Sequence, residues 1–199
     1  MAGTFRPGLG YAHLLSNTVR PDEAIRQVDL ALAADPQSPL AGTLKSQFLF
    51  DAGRTREAHD QLRATLETSQ AFWIAQLLLG RILLHEGRYD EAVAAFNRAA
   101  AAGGVWAPLA LAGYAHGVSG NREQARQILS KLEDGGAPPS LQAQVHLGMG
   151  ATQEALAALE RAYAEKDVRM VFLGVEPRWA PLHADPRFVA LLKRMNLAR

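Results

Sequence analysis

The chain has 199 residues, no cysteine, and 21 lysines and arginines against 20 aspartates and glutamates, so its formal net charge is +1. The lack of cysteine excludes disulfides, thiolate zinc sites and cysteine nucleophiles, and the balanced charge disfavours a dedicated nucleic-acid binder or electrostatic docking on an anionic membrane. A hydrophobic fraction of 48%, dominated by alanine and leucine, predicts a packed all-α protein.

Two segments bear on localisation. Residues 1–20 contain glycine, proline, histidine and asparagine where a signal peptide needs an apolar core. Residues 99–121 carry no charge, but glycines and a proline interrupt them and alanine outnumbers leucine, whereas a membrane span needs about 20 strongly apolar residues. Both observations favour a soluble, cytoplasmic protein.

A repeat runs through most of the chain. Its marker is an alanine preceded by glutamate or glutamine, and these anchors are Ala24, Ala58, Ala92, Ala125 and Ala155, at spacings of 34, 34, 33 and 30 residues. The residue four positions after each anchor is always apolar, and positions 0, +4 and +7 share one face of a helix with about 3.6 residues per turn. This pattern predicts an amphipathic helix in every repeat, which we call helix B.

A second helix, helix A, is predicted before each helix B. Small residues lie twelve positions before the anchors and would let the two helices approach closely as an antiparallel pair: Ala12, Ser46, Gly80, Gly113 and Ala143. A glycine five positions before the anchor suits the left-handed end of helix A in four repeats: Gly53, Gly87, Gly120 and Gly150. Residues suited to the N-cap or first turn lie where helix B is predicted to begin: Asp22, Thr55, Asn121 and Thr152.

This combination of period, small residues, glycine turn and alanine anchor resembles the tetratricopeptide repeat (TPR). The third repeat carries the resemblance best, with Leu79-Gly80, Gly87, Tyr89, Ala92 and Phe96 all in register. The resemblance implies a right-handed α-solenoid of about five helix-turn-helix repeats over residues 1–167, with the A helices lining its concave side.

Residues 168–199 form a predicted C-terminal extension. Together with the preceding ALERAYAEKD, the run VFLGVEPRWAPLHADPRFVALLKRMNL resembles the end of TPR arrays in bacterial multidomain signalling proteins, such as winged-helix regulators and adenylate cyclases. Asp185 is a predicted N-cap, and Pro186 the first residue, of a capping helix. That helix would turn Phe188 and Leu191 towards the last repeat, and Arg187, Lys193 and Arg194 outward.

The C-terminal tail also concentrates positive charge. Its cations, between which Trp179 and Phe188 are interleaved, are Arg178, Arg187, Lys193, Arg194 and Arg199. Arginines and aromatic rings together can bind nucleic acid, but a solvated face on a capping helix is the simpler interpretation and is favoured.

No pattern indicates catalysis. The six histidines include no pair at the i, i+4 spacing of a helical metal site, and neither a nucleophile elbow nor a glycine-rich phosphate loop is present. We therefore expect no catalytic residues, no metal and no cofactor.

The predicted binding surface lies on the A helices. The resemblance to TPR arrays implies that residues eleven, eight and seven positions before the anchors face the groove, and the candidate partner-binding residues are His13, Gln47, Phe50, Arg81, Leu84, His85, Tyr114 and Gln144. Such a mixture of aromatic, amide and cationic groups suits an extended peptide or a partner helix, although any solvated face also carries polar residues. Leu9, His13 and Gln47 replace the lysine and asparagine that would bind acidic chaperone tails, so that ligand is not expected.

These observations predict a non-catalytic protein-protein interaction module, serving as the scaffolding or sensory part of a bacterial signalling protein. The alternative is a small-ligand sensor that binds a metabolite in the groove near Arg81 and Tyr114. The first repeat presents Tyr11 and Leu14 as apolar residues, and exposed apolar patches mark interaction surfaces. The sequence therefore also predicts self-association as a homodimer, or docking onto an upstream domain, through that repeat.

Overall fold

The computed structural model describes residues 21–174 and 176–197 of the chain. Every regular element in these ranges is a helix, and no strand occurs there. The chain divides into two compact units, of which one ends at Val105 and the other begins at Trp106. Among the described residues, no helix is long and apolar enough to cross a bilayer.

Unit 1, as far as it is described, consists of α-helices and one short π-helical segment. Their bounds are α1 (Pro21–Ala34), α2 (Pro39–Asp51), α3 (Thr55–Thr68), α4 (Trp73–His85), α5 (Tyr89–Ala99) and the π-helix Ala100–Gly104. Helix α1 carries the first anchor and is helix B of the first repeat. Helices α2 and α3 pack on each other as the second repeat, and α4 and α5 as the third.

Unit 2 contains two further helix pairs and a C-terminal extension. Its elements are α6 (Trp106–Val118), α7 (Arg122–Asp134), α8 (Pro139–Gly148), α9 (Thr152–Ala164), the 3-10 turns Val168–Phe172 and Pro177–Leu182, and α10 (Pro186–Arg194). Helices α6 and α7 are the fourth repeat, α8 and α9 the fifth, and α8 also packs against α6.

Burial confirms the predicted repeat register. All five anchor alanines are fully buried, and so are most of the apolar residues four positions later. A Cβ on Gly80 of α4 would overlap the ring of Phe96 on α5, and one on Gly113 of α6 would lie 2.9 Å from Cγ2 of Ile128 on α7. The small residue of helix A is therefore the place where helix B inserts a large side chain.

The turn between helices A and B contains the predicted glycine, and helix B begins at Thr55 and Thr152 as predicted, but Asn121 does not cap its helix with its side chain. Gly53 has φ +75°, which ends α2 in the left-handed conformation. Asn121 makes no side-chain cap bond at the start of α7. Its backbone N–H donates to the carbonyl of His116 at 2.8 Å, and its ψ of 58° lies outside the extended range typical of an N-cap. The turn itself thus determines the conformation of the residue before helix B.

The C-terminal helix is confirmed, and its arginines Arg187 and Arg194 are exposed, as predicted, while both contact α9. Asp185 accepts a hydrogen bond from the backbone N–H of Arg187 at 2.8 Å, and Phe188 is fully buried in a cluster shared with α9. The guanidinium of Arg187, however, binds both carboxylate oxygens of Glu160 on α9, at 3.1 and 2.8 Å. Arg194 lies over the ring of Tyr163, 4.2 Å from its centre. Both arginines therefore turn back onto α9, where a carboxylate and an aromatic face attract them.

The two aromatic residues interleaved with the tail cations, Trp179 and Phe188, are not available to stack on nucleic-acid bases. Trp179 is 2% exposed and Phe188 0%. Both pack into the apolar cluster of unit 2, because that extension covers the last repeat. The favoured interpretation, that the tail cations belong to a capping element, is consistent with this burial.

Candidate functional site

Five predicted binding residues lie in unit 1 on two A helices that pack against each other. Gln47 and Phe50 belong to α2, and Arg81, Leu84 and His85 belong to α4. We call this set the unit 1 row. Its members are half-buried, apart from the exposed His85.

A polar chain links the two helices of the unit 1 row. Nη1 of Arg81 donates to Oε1 of Gln47 at 3.4 Å, and Nε2 of Gln47 donates to Oδ1 of Asp51 at 2.7 Å. Arg81 and Gln47 are 34 residues apart, so they occupy equivalent places in successive repeats. The amide of Gln47 is oriented by its two neighbours, while the guanidinium of Arg81 keeps donors that this single long bond does not use.

An aromatic pair adjoins this polar chain. The rings of Phe50 and His85 meet edge to face, with centres 5.3 Å apart and planes at 86°. This is a favourable geometry for aromatic rings, and it leaves the half-buried Phe50 as an apolar contact beside a cationic group. The unit 1 row therefore combines a cationic group with an apolar one on adjacent helices.

Unit 2 holds the remaining described candidates, Tyr114 on α6 and Gln144 on α8. Tyr114 is half-buried and packs against the apolar cluster of this unit. Oε1 of Gln144 accepts a hydrogen bond from Nη1 of Arg178 at 3.1 Å, and Nε of Arg178 lies 2.8 Å from a carboxylate oxygen of Glu176. The Arg178 side chain is only 14% exposed, so its charge is largely committed inside the protein.

Arg178 occupies a place in unit 2 that corresponds to that of Arg81 in unit 1, although the sequence did not predict it as a groove residue. Gln144 and Arg178 are 34 residues apart, as Gln47 and Arg81 are, and both pairs are bonded in the same sense. The turn Pro177–Leu182 thus takes the place of a further helix A. The 34-residue spacing between Gln144 and Arg178 could have indicated this correspondence in the sequence. It was missed because no anchor alanine follows Arg178 at the repeat spacing.

The column eight positions before the anchors does not face a groove in unit 2. A Cβ on Gly117 of α6 would lie 2.5 Å from the carbonyl carbon of Gly148 on α8, and Leu147 is only 8% exposed. The two backbones meet too closely there for a ligand to reach these residues. His13, and the predicted self-association residues Tyr11 and Leu14, lie outside the described residues.

Two surface clefts lie away from the unit 1 row and from Tyr114 and Gln144 of unit 2. One, of about 460 Å³, is lined by residues of α3 together with Gln70 and Leu79. The other, of about 390 Å³, lies between the ends of α7 and α9 and the start of α8. Neither includes Arg81 or Tyr114, the residues near which a metabolite was predicted to bind.

Comparison with known proteins identifies the repeat. Residues 45–104 match the family model described as "Tetratricopeptide repeat". A thermophilic TPR protein of Thermus thermophilus superposes with a TM-score of 0.66 at 21% identity, covering 87% of this chain and 96% of that one. PilF of Pseudomonas aeruginosa superposes with a TM-score of 0.64 at 17% identity, covering 94% and 90%. No curated protein matches the chain significantly in sequence. At these identities the likeness shows the fold, and the predicted all-α class of TPR helix pairs is confirmed.

Proposed function

Because residues 45–104 match the tetratricopeptide-repeat family model and the chain has the fold of TPR proteins, we propose that it is a non-catalytic interaction module that binds an extended segment of a partner protein along its A helices. The observation that carries the proposal is the unit 1 row, where a polar chain and an aromatic pair lie side by side on α2 and α4. Apart from Gln76, the buried residues of these two helices are small or apolar, so this mixed chemistry is concentrated in the unit 1 row.

Arg81 is the residue best suited to select the ligand. Within the described ranges its one hydrogen bond is to an amide, and no carboxylate lies within ion-pair distance of its guanidinium. A half-buried guanidinium binds a carboxylate or a peptide carbonyl more strongly than one in bulk water does, because water screens it less. We expect an acidic side chain or a backbone carbonyl of the partner at Arg81.

Phe50 would provide most of the apolar contact. Aromatic residues and arginine dominate the binding energy of protein interfaces, and here the two types lie on adjacent helices. An apolar side chain of the bound segment would contact Phe50 while its neighbour meets Arg81. Arg178 of unit 2 is less suited to such a role, because Glu176 already neutralises it.

The wider context belongs to the same proposal. The C-terminal extension resembles the end of TPR arrays in bacterial signalling proteins, and we propose that the chain is a cytoplasmic scaffolding or sensory part of such a protein. Residues 1–167 would then be the repeat array and residues 168–199 its cap. The coding sequence beside this chain tests the idea, since a winged helix, cyclase or kinase domain would support it and an unrelated neighbour would count against it.

Affinity capture with the intact chain tests the binding surface. We expect at least one protein to be recovered by the parent chain and reduced about tenfold or more by the double variant Arg81→Ala, Phe50→Ala, since loss of one interface anchor costs about 1–2 kcal/mol or more. Arg63→Ala is the control, because Arg63 is an exposed arginine on α3 outside the row. Equal recovery by the parent and the double variant would place the binding site elsewhere.

A further inference from the structure

An arginine bonded to a glutamine 34 residues earlier occurs at three places in the described residues. In each pair Nη1 of the arginine donates to Oε1 of the glutamine, and the pairs are Gln47 with Arg81, Gln144 with Arg178, and Gln153 with Arg187. Because the glutamine takes Nη1, each arginine keeps Nε and Nη2 for other acceptors. These two nitrogens lie on one side of the guanidinium, which we call the Nε edge.

In unit 2 both of these arginines bind a carboxylate of the chain itself on the Nε edge. Nε of Arg187 donates to Oε1 of Glu160 at 3.1 Å and Nη2 to Oε2 at 2.8 Å, so both carboxylate oxygens are used. Nε of Arg178 lies 2.8 Å from Oε2 of Glu176, whose backbone is extended, with φ −78° and ψ 120°. A glutamine on Nη1 and a carboxylate on the Nε edge thus form one recurring arrangement.

The Nε edge also binds carboxylates in unit 1, outside this arrangement. Arg54 and Arg88 each donate from Nε and Nη2 to the two oxygens of the glutamate three positions later, over distances of 2.6 to 2.8 Å. Paired N–H groups in a fixed fork match the two oxygens of a carboxylate, and such charge-assisted pairs are stronger than neutral hydrogen bonds. A carboxylate is therefore the expected acceptor at an arginine edge of this kind.

Arg81 has the glutamine of this arrangement, but no carboxylate of the described residues lies within ion-pair distance of it. Asp51 accepts from Nε2 of Gln47 at 2.7 Å, and Glu86 is bonded to groups outside the unit 1 row. Donation to Asp51 polarises the amide of Gln47, which makes its Oε1 a better acceptor for Nη1 of Arg81. Asp51 thus helps to orient the guanidinium through Gln47.

We propose that the partner segment supplies the carboxylate of a glutamate or aspartate side chain to the Nε edge of Arg81, and that Gln47 is the positioning residue that orients this edge. This contact, which rests on the proposed function, narrows the acceptor at Arg81 from a carboxylate or a carbonyl to a carboxylate. A carbonyl offers one neutral oxygen to two N–H groups, whereas a carboxylate offers a charged oxygen to each. Glu176 on Arg178 is an example, within this chain, of an extended residue that makes such a contact.

A phosphorylated side chain fits this place less well. A phosphate carries nearly two negative charges and is typically bound by a cluster of arginines. Arg81 is the one arginine or lysine of the unit 1 row. A phosphoserine peptide is therefore included in the test as an outcome that would overturn the proposal.

NMR titration of the intact chain with defined peptides tests the contact. Each peptide has blocked ends and one glutamate, placed next to a phenylalanine or one residue away from it on either side; its matched probe carries glutamine instead. The Nε–H signal of Arg81, identified as the signal that Arg81→Lys removes, reports binding at the unit 1 row. We expect a glutamate peptide to shift this signal and to bind about tenfold more tightly than its glutamine counterpart.

Gln47→Glu tests the positioning residue with a side chain of the same size. Its carboxylate would pair with Arg81 from within the row, as Glu176 pairs with Arg178, so the preference for glutamate over glutamine peptides should fall to about twofold or less. Gln127→Glu is the matched control, because it adds the same charge at an exposed position of α7 and should keep the parent's preference.

Arg81→Lys is a second variant that does not depend on the folding of Gln47→Glu. It keeps the positive charge but lacks the planar fork of N–H groups, so it should reduce the preference for glutamate several-fold. Backbone signals of α2 and α4 measure the affinities of the variants. Melting temperatures identify any variant that does not fold like the parent.

Four results would overturn the proposal. The first is that glutamate and glutamine peptides bind equally, which would assign a carbonyl to Arg81. The second is that both Gln47→Glu and Arg81→Lys keep the parent's preference. The third is that phosphoserine peptides bind more tightly than glutamate peptides and shift the Arg81 signal. The fourth is that no glutamate peptide shifts that signal.

The capture experiment separates this contact from the proposed function. If the double variant Arg81→Ala, Phe50→Ala loses a captured partner while glutamate and glutamine peptides bind equally, the interaction module stands and only the carboxylate contact is wrong. Equal capture by the parent and the double variant would instead remove the proposed binding surface itself.

Discussion

At the scale of single residues, one close fit between the helices of a repeat is that of a glycine and a phenylalanine. Gly80 of α4 is buried against the ring of Phe96, which is itself fully buried on α5. Interiors are packed at the density of organic crystals, so a side chain added there has no space to enter.

Gly80→Leu should therefore destabilise unit 1 by overpacking. We expect a loss of about 1–3 kcal/mol in the free energy of unfolding, measured by urea denaturation. Ala94→Leu adds the same side chain at an exposed position of α5 and should have little effect. Equal stabilities for both variants would show that the assigned helix contact is wrong.

A second residue-scale feature occurs in each unit. A buried glutamine on helix A donates to a carbonyl of the preceding loop and accepts from an arginine six positions after the anchor. In unit 1 Gln76 bonds Gln70 and Arg98 in this way, and in unit 2 Gln142 bonds Ala137 at 3.0 Å and Arg161 at 2.8 Å. These glutamines tie the loop to both helices, and they provide partners for polar groups that would otherwise be buried without one.

Gln142→Leu should cost about 1–3 kcal/mol, because the buried carbonyl of Ala137 would lose its hydrogen bond without gaining water. Thermal unfolding of the variant, compared with the parent, measures this loss. Gln127→Leu is the matched control, since Gln127 is exposed on α7 and its side chain bonds the exposed Glu123. If the two variants melt at the same temperature, Gln142 does not stabilise this loop.

At the scale of elements, the C-terminal extension is held by side chains that cap its own turns. Asp167 and Asp185 each accept a hydrogen bond from the backbone N–H two positions later. Burial alone would raise the pKa of Asp167, but its hydrogen bonds from Ser140 and Arg169, with the nearby charge of Arg169, hold the pKa below its ordinary value.

This lowered pKa predicts a pH dependence. Because Asp167 releases its proton more readily in the folded state, its contribution to stability is present above its unfolded pKa of about 3.9 and is lost as the pH falls through the folded value. Asp167→Asn should therefore be less stable than the parent at pH 7, and the difference should shrink below about pH 4. Urea unfolding at pH 7 and pH 3 measures it.

The exposed Asp60→Asn serves as the control and should follow the parent at both values of pH. A difference between Asp167→Asn and the parent that is the same at pH 7 and pH 3 would show that the charge of Asp167 does not stabilise the turn.

At the scale of the whole molecule, self-association through the first repeat remains a prediction from the sequence. Tyr11 and Leu14, which lie outside the described residues, are apolar residues of the predicted first helix A. Replacing both with glutamate should convert any dimer to a monomer, because two charges would have to be buried. Lys193→Glu should leave the dimer intact. Sedimentation of the three proteins measures this, and a parent chain that is monomeric at high concentration would refute the prediction.

Much of the fold could be predicted from the sequence because the same pattern of residues recurs in each repeat. The anchor alanines, the glycines that end helix A and the small residues facing helix B recur at nearly constant spacing, and their burial and φ angles agree with that interpretation. The capping helix could be predicted equally well, because Asp185 and Pro186 mark the start of a helix within a single turn.

The candidate site was only partly predictable. The repeat spacing brought Gln47 to Arg81, which are one period of 34 residues apart, and placed Phe50 near His85, one residue beyond a period. The same spacing could not indicate that Gly117 is closed off by Gly148, or that Glu176 neutralises Arg178. Those outcomes depend on how closely two backbones approach and on which carboxylate a loop carries to an arginine.

What the sequence determined by itself is therefore the set of helix pairs and the face that each helix buries, because both follow from a periodicity within a few turns of chain. The tertiary structure decided which charges are satisfied. Arg187 and Arg194 are exposed, as predicted, but only the structure shows that they bind Glu160 and Tyr163 on α9, whereas the turn at Phe172 stays exposed. Long side chains can reach partners on either side of a helix, so only the position of the neighbouring helix settles which way they turn.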